Sequence, residues 1–170
     1  DVQDLTALEK SMETLHHVYA DETPLRSISV LERAANLNTL GLKHCIDLHD
    51  FNSLASHGLE QTLEELNVEG TRFEHLDLLK HYRKIKRIYA AHTQVRDISS
   101  LLEYASLTSS DDGSRILEDV DIAGCPIDWT NQKNGDTVRK LKELGVKVHV
   151  GNEFHYEEKS MHRQVESVLE

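Results

Sequence analysis

The chain has 170 residues, which is enough for a single domain to bury a core of its own. Aromatic residues make up only 5% of the sequence, so we expect an aliphatic core of leucine, isoleucine and valine. The formal net charge is −11, which argues against a general nucleic-acid binder, because such proteins neutralise phosphates with lysine and arginine. The same charge is compatible with a protein partner that has a basic surface.

The apolar runs and the cysteines indicate in which cellular compartment the protein is expected. No run approaches the ~18 consecutive apolar residues of a membrane-spanning helix, so we expect no membrane span. The two cysteines, Cys45 and Cys125, are too few and too widely separated for a disulfide framework. They favour a reducing compartment, and we expect an intracellular, cytoplasmic protein.

Residues 1–14 open the chain with apolar side chains at Val2, Leu5 and Leu8. This spacing recurs in the second half of a repeat further along the chain. A solenoid that begins halfway through a unit exposes the apolar side of that unit, and natural solenoids cover their ends with polar caps. We therefore expect a piece of a longer protein with more repeats upstream, and the alternative is that residues 1–14 form a helix that caps the solenoid.

From residue 15 onward the chain repeats itself. Residues 15–28 align with residues 85–98, with apolar residues at corresponding sites and Tyr, Ala, Thr and Arg at the same offsets. Repeat starts fall near residues 15, 37, 63, 85 and 117, so the periods are 22, 26, 22 and 32. A unit of 20–29 residues is typical of a leucine-rich repeat, and the longest period requires an insertion.

The shared pattern, L-x-x-L-x-L-x-x-[Cys/Thr]-x-[apolar], resembles the leucine-rich repeat family, with Cys or Thr where Asn is commonest. Residues 3–8 and 96–101 resemble the short repeats of internalins and of the phosphatase-regulating SDS22-like proteins. The resemblance covers about residues 15–150. It implies an α/β solenoid, a horseshoe segment with a parallel β-sheet on its concave side and helices and irregular turns on its convex side.

Local patterns predict the remaining elements in chain order. The spacing of Phe73, Leu76, Leu79 and Tyr82 predicts a packed helix, and residues 108–114 form a polar insertion that predicts a surface loop. A second helix is predicted over residues 136–144 with Gly145 as its C-cap, followed by a terminal strand over 146–150. Residues 151–170 lack the repeat and are expected to be a tail or a short helix.

The turn after each strand has a recurrent small side chain. Thr23, Thr71 and Thr93 lie where a side chain normally bonds the turning backbone, and a hydroxyl can do so in place of an amide. Cys45 and Cys125 share this position and are expected to be small buried side chains, too far apart for a disulfide.

Side chains alternate faces along a strand, so the repeat frame also predicts which of them project from the concave side. We expect a partner protein to bind there, with Tyr19 and Tyr89 as the best anchors because tyrosine is enriched at binding hot spots. An exposed strand residue of good β-propensity explains each tyrosine equally well. The candidate concave binding residues are Tyr19, Lys43, Glu65, Asn67, Glu69, Arg87, Tyr89, Asp119 and Asp121.

Residues 80–87 are strongly basic although the chain as a whole is acidic, and they offer an alternative binding site. The run has five basic residues, of which Arg87 is also a concave candidate and the other four are Lys80, Arg83, Lys84 and Lys86. It is predicted to pass from the end of a convex helix onto a strand. Such a run is able to bind RNA or a phosphorylated ligand, although it more often solvates a helix end and complements its dipole.

The sequence has no enzyme or metal signature. It contains no phosphate-binding glycine loop, no Gly-x-Ser-x-Gly and no His-x-x-x-His or Cys-x-x-Cys spacing, so we expect no catalysis, no cofactor and no metal. The adjacent His16 and His17 are predicted to face opposite sides, one toward the core. We therefore predict a protein-binding module or scaffold, with a regulatory subunit that directs an enzyme as a further alternative.

Overall fold

The computed structural model describes residues 3–106 and 116–151. Within them, six strands form one parallel sheet in which each strand pairs with the next along the chain. The strands are β1 His17–Tyr19, β2 Thr39–Gly41, β3 Glu65–Asn67, β4 Arg87–Tyr89, β5 Asp119–Asp121 and β6 Lys147–His149. This arrangement confirms the solenoid that the repeats predict.

The register of the sheet has no shift from one strand to the next. The middle residue of each strand pairs with the middle residue of its neighbour, as Val18 does with Leu40. These residues point into the core, where Leu40 and Leu66 have no exposed surface. Each strand alone is too short to bury its apolar side, and stacking on its neighbours does so.

In the described part of the chain, the convex side combines short 3-10 helices with three α-helices. The 3-10 helices are Thr6–Ser11, Ser29–Arg33, Asn52–Ala55 and Leu76–Leu79. The α-helices are α1 His57–Thr62, α2 Ser100–Ala105 and α3 Gln132–Glu143. Most of these elements present leucines to the core that lies between them and the sheet.

The helix predicted from Phe73 to Tyr82 is shorter in the structure. Only Leu76–Leu79 is helical, and it is a 3-10 helix. A three-residue spacing matches the period of a 3-10 helix rather than that of an α-helix. Phe73 and Tyr82 are still buried, but from irregular backbone on either side, and the Tyr82 hydroxyl donates to the Leu54 carbonyl at 2.6 Å.

The last helix begins earlier than predicted. We expected residues 136–144, but α3 starts at Gln132, where the side chain of Asn131 accepts a hydrogen bond from the Lys133 N–H at 3.1 Å. An Asn cap satisfies an amide that the first turn leaves free. At the other end Gly145 adopts a positive φ of 77°, as expected of a residue that terminates a helix.

The predicted role of the threonines in the turns is confirmed. Each hydroxyl donates to the carbonyl three residues earlier, for example Thr71 to Val68 at 2.6 Å and Thr93 to Ala90 at 2.7 Å. Cys125 is buried, and its Sγ donates to the same Ala90 carbonyl at 3.0 Å. The thiol therefore links two repeats, which a purely apolar side chain cannot do.

The N-terminal segment packs against the first repeat. Leu5 and Met12 are buried, and Asp4 forms an isolated parallel bridge with Ser27. Whether residues 1–14 are a cap or part of an upstream repeat stays a prediction. The predicted insertion at 108–114 and residues 152–170 of the predicted tail lie outside the described residues. None of the described helices is long and apolar enough to cross a membrane.

Candidate protein-binding surface

The concave surface consists of three columns of side chains that run across the strands. The first and third residues of each strand point away from the core, and a further column follows two residues after each of β1 to β5. The columns are His17, Thr39, Glu65, Arg87, Asp119, Lys147; Tyr19, Gly41, Asn67, Tyr89, Asp121, His149; and Asp21, Lys43, Glu69, Ala91, Ala123. All nine candidate residues of the concave face therefore lie on one continuous surface.

The sixth strand extends this surface beyond the predicted residues. Lys147 and His149 pair in register with Asp119 and Asp121, and both are exposed. The alternation of Val146, Val148 and Val150 predicts the strand, although neither Lys147 nor His149 is among the candidate residues predicted from the sequence. The same alternation assigns Lys147 and His149 to the outer face.

The β1–β2 end of the surface carries an exposed aromatic ring. Tyr19 is 69% exposed, which is unusual for a large side chain in this molecule. Its ring lies parallel to that of His17, with 6.5 Å between ring centroids and 7° between planes. His16 is also exposed, so the prediction that one of these two histidines faces the core is wrong. The residue that does so is Val18, because the strand begins at His17.

Two predicted basic residues already have acidic partners. Lys43 Nζ lies 3.0 Å from Glu69 Oε2, and Arg87 Nε donates to Glu65 Oε2 at 2.7 Å. Arg87 Nη1 also lies 3.5 Å from Glu118 Oε2. The hydrogen bond to Glu65 raises the pKa of Arg87, so this guanidinium stays charged. These pairs join neighbouring strands and neutralise part of the predicted negative surface.

The β4–β6 end brings Tyr89, Asp119, Asp121 and His149 together. Tyr89 is half-buried, and desolvation, followed by the charge of Asp119, raises the pKa of its phenol. Asp119 Oδ1 is shielded from solvent and lies 3.3 Å from His149 Nε2. Asp121 accepts a hydrogen bond from the Ala123 N–H at 3.0 Å, and no cation of the described chain pairs with it.

The basic run is divided by the fold. Lys86 and Arg87 are half-buried and bonded to Glu64 and Glu65 of the preceding repeat, at 2.8 and 2.7 Å. Lys80, Arg83 and Lys84 are exposed, and no carboxylate of the described residues lies within ion-pair distance of them. The run thus offers three available charges instead of five, and they lie outside the concave face.

The described residues give little support to other chemistry. No group of three or more His, Cys, Asp or Glu side chains among them is arranged to hold a metal ion. A cleft of about 270 Å³ lies on the flank where the chain leaves the strands, with Phe51 and Phe73 among its lining residues and the polar Arg72, Glu74 and His75 around them. It contains none of the candidate concave residues, and its acidic and basic side chains give it no single charge.

No protein-family model matches the sequence, and none of the curated proteins matches it. Two solved structures with a similar fold are internalins from Listeria monocytogenes. Internalin C2 has a TM-score of 0.63 at 17% identity over 89% of this chain. An internalin designated inlF has a TM-score of 0.61 at 18% identity, also over 89% of this chain. The chain spans 56% and 40% of their respective lengths. Together with the repeats and the all-parallel sheet, this likeness gives the chain the fold of a leucine-rich repeat solenoid.

Proposed function

We propose that this chain is a protein-recognition module that binds its partner on the concave strand surface. The observation that carries the proposal is the unshifted register of six strands, which aligns the outward side chains in continuous columns on a rigid sheet. Tyr19 lies at one end of these columns with 69% of its surface exposed. A large, stiff side chain of this kind supplies contact area at a low cost in conformational entropy.

The unequal pairing of charges favours a partner with a basic surface. Lys43 and Arg87 are already bonded to Glu69 and Glu65, and the exposed Lys147 lies apart on the last strand. Asp21 and Asp121 of the same face have no cationic partner among the described residues. A basic surface on the partner complements these carboxylates and accelerates association at low salt.

Binding is proposed in place of catalysis. The titratable groups of the concave face lie on an open sheet, and no pocket described above encloses them. We also retain the proposal of an intracellular location, which is supported by two buried thiols that bond to backbone carbonyls.

The test is an affinity pull-down from the source cell with the parent chain and a concave variant that carries Tyr19→Ala, Tyr89→Ala and Asp121→Lys. The variant removes both aromatic anchors and reverses one unpaired carboxylate, so we expect it to lose the partner that the parent recovers. Circular dichroism first establishes that both proteins are equally folded. Recovery of the same partners by both proteins would show that the concave face is not the site.

The rival function is binding of RNA or of a phosphorylated ligand by the basic run. The observation in its favour is that Lys80, Arg83 and Lys84 are exposed and form no ion pair within residues 3–106 and 116–151. A variant with Glu at all three positions separates the two functions, and Arg87 is left unchanged because it holds Glu65. We expect this variant to keep the protein partner. Loss of binding in this variant alone, with a steep dependence on salt, would favour the rival.

A regulatory subunit that directs an enzyme is a special case of the proposed function. It requires that the recovered partner carry a catalytic activity that this chain lacks by itself. Assaying the pull-down for phosphatase activity tests this case, since the repeats resemble those of phosphatase-regulating proteins.

A further inference from the structure

Tyr19 and Asp21 of the first repeat both reach over Gly41 on the neighbouring strand. A Cβ atom at Gly41 would lie 2.9 Å from Asp21 Oδ1 and 3.0 Å from Tyr19 Cδ1. Gly41 is consequently buried although it lies on the concave face. The missing side chain at Gly41 thus lets an aromatic ring and a carboxylate approach the same point.

The surroundings hold both groups in place. The Asp21 Oδ1 atom accepts a hydrogen bond from the Lys43 N–H at 2.7 Å, which fixes the carboxylate against β2. The parallel ring of His17 borders Tyr19 along the strand. A binding group that is ordered before its partner arrives loses less entropy on binding.

The charge of Asp21 is not neutralised by any residue that the structure describes. Asp21 is exposed and its carboxylate accepts only from the Lys43 backbone, because Lys43 Nζ pairs with Glu69 instead. An exposed aromatic ring beside an uncompensated carboxylate is the chemistry that accepts a planar cation. The ring attracts the cation over its face while the carboxylate accepts its N–H groups.

We propose that Tyr19, Asp21 and Gly41 form a subsite for an arginine side chain of the protein partner. The inference rests on the proposed function, since it assigns a chemical group to one end of the concave face. Arginine fits better than lysine because its flat guanidinium stacks on an aromatic ring and donates two parallel hydrogen bonds to a carboxylate. Gly41 is a positioning residue that leaves room for Tyr19 and Asp21.

The experiment uses peptides from a random linear display library, selected on the full chain. Selected peptides are synthesised with arginine and with citrulline, which has the same shape without the charge, and their dissociation constants are measured by fluorescence anisotropy. We expect the selected peptides to contain arginine. Replacement by citrulline should weaken binding by about tenfold or more, the scale of one hydrogen bond to a charged group. On an Asp21→Asn variant the same replacement should weaken binding much less, because the carboxylate that pairs with the guanidinium is already gone.

A Gly41→Ala variant tests the positioning role. Gly41 lies in a strand without a positive φ, and the atoms that its Cβ would meet belong to the exposed side chains of Tyr19 and Asp21 and not to the backbone, so we expect the fold to persist. We expect binding of the arginine peptide to fall severalfold and the citrulline peptide to be little affected. Gly135→Ala is the matched control, because a Cβ there meets nothing within 4 Å and the site is on the convex helix α3.

The remaining outcomes separate the two proposals. The arginine subsite alone would be overturned if the selected peptides lack arginine, or if citrulline weakens binding equally on the parent and on the Asp21→Asn variant. In either case the concave variant must still lose the peptides. If the concave variant binds the peptides as well as the parent does, or if no peptide is enriched on the parent over that variant, both proposals fail.

Discussion

The tight turn after each strand places one residue in the left-handed region of backbone conformation. Successive repeats have Glu22, His44, Gly70, His92 and Gly124 at this position, with φ between 56° and 69°. Histidine tolerates this conformation better than most side chains, and glycine adopts it freely. The two types alternate for a steric reason, because each histidine ring lies over the glycine of the next repeat.

We predict that Gly70→Ala destabilises the chain. The new Cβ would lie 2.1 Å from His44 Nδ1, and the left-handed conformation alone costs an alanine about 1–2 kcal/mol. Urea unfolding followed by circular dichroism measures the change. Gly135→Ala provides the control, since it removes a glycine from helix α3 in open space and should stabilise by up to about 1 kcal/mol. Equal effects of the two substitutions would contradict this account of the turn.

Residue types in the turns were only partly predictable from sequence. The threonines occupy a recurrent position next to an apolar pattern, so their bonds to the turning backbone followed from the repeat frame. The roles of His44 and His92 did not follow, because a sequence does not reveal which neighbour an exposed ring covers.

Among the elements, helix α3 is tied to the preceding repeat by a buried asparagine. The Asn134 side chain accepts from the Ile98 N–H at 3.1 Å and donates to the carbonyls of Arg96 and Asp128, at 3.2 and 2.9 Å. Asn134 has no exposed surface. A buried side chain with three satisfied bonds fixes both the start of the helix and its position over the preceding repeat.

We predict that Asn134→Ala costs about 3 kcal/mol of unfolding free energy, because it leaves buried backbone groups without partners. Asn131→Ala removes only the N-cap bond of the same helix and should cost about 1 kcal/mol. Lys133→Ala, at an exposed position between them, should change stability by less than about 0.5 kcal/mol. Denaturant midpoints for the three variants check the order. An Asn134 variant no weaker than the Asn131 variant would contradict the assigned role.

The start of helix α2 depends on an ionised carboxylate. Asp97 Oδ1 accepts from the Ser99 N–H at 2.8 Å, and this backbone hydrogen bond, followed by the Ser99 side chain, lowers the pKa of Asp97. A carboxyl whose pKa is lower in the folded state stabilises that state when ionised. Its contribution is therefore complete above the pKa of the unfolded chain, about 4, and is lost as the pH falls further.

We accordingly predict that Asp97→Ala lowers stability at neutral pH and that its difference from the parent shrinks below about pH 4. Unfolding free energies measured across pH 7 to 3 by urea titration test this window. Asp97→Asn is the matched variant, because it keeps an acceptor oxygen that does not titrate. If the Asp97→Ala difference stayed constant or grew at low pH, the ionised bond would not be the cause.

The elements were predicted best where their spacing is dictated by the core. Leu40 and Leu42 alternate as a strand requires, and both are fully buried. Helix boundaries were less predictable, since Asn134 and Gly135 reduce the helical pattern at the start of α3 while tertiary hydrogen bonds restore it. The three-residue spacing from Phe73 to Tyr82 indicated burial correctly but did not distinguish a 3-10 helix from an α-helix.

At the scale of the whole molecule, the sheet turns a linear repeat into a surface. The columns of the candidate site followed from the sequence because one repeat frame fixes every outward position. The pairing of Lys43 with Glu69 and of Arg87 with Glu65 did not follow, because it depends on rotamers across strands. This pairing leaves Asp21 and Asp121 as carboxylates of the concave face without a cationic partner among the described residues, whereas Lys147 on the last strand has no acidic partner among them.

Site-specific photocrosslinking tests the central claim, concave recognition of a protein, most directly. A benzophenone side chain is placed at Thr39 on the concave face, or at the exposed Lys140 on the convex helix α3 as the control. In an extract of the source cell, we predict a crosslinked protein partner from position 39 and none from position 140, with the concave variant abolishing the product. Crosslinking from position 140 alone, or a product at position 39 that survives in the concave variant, would contradict the account.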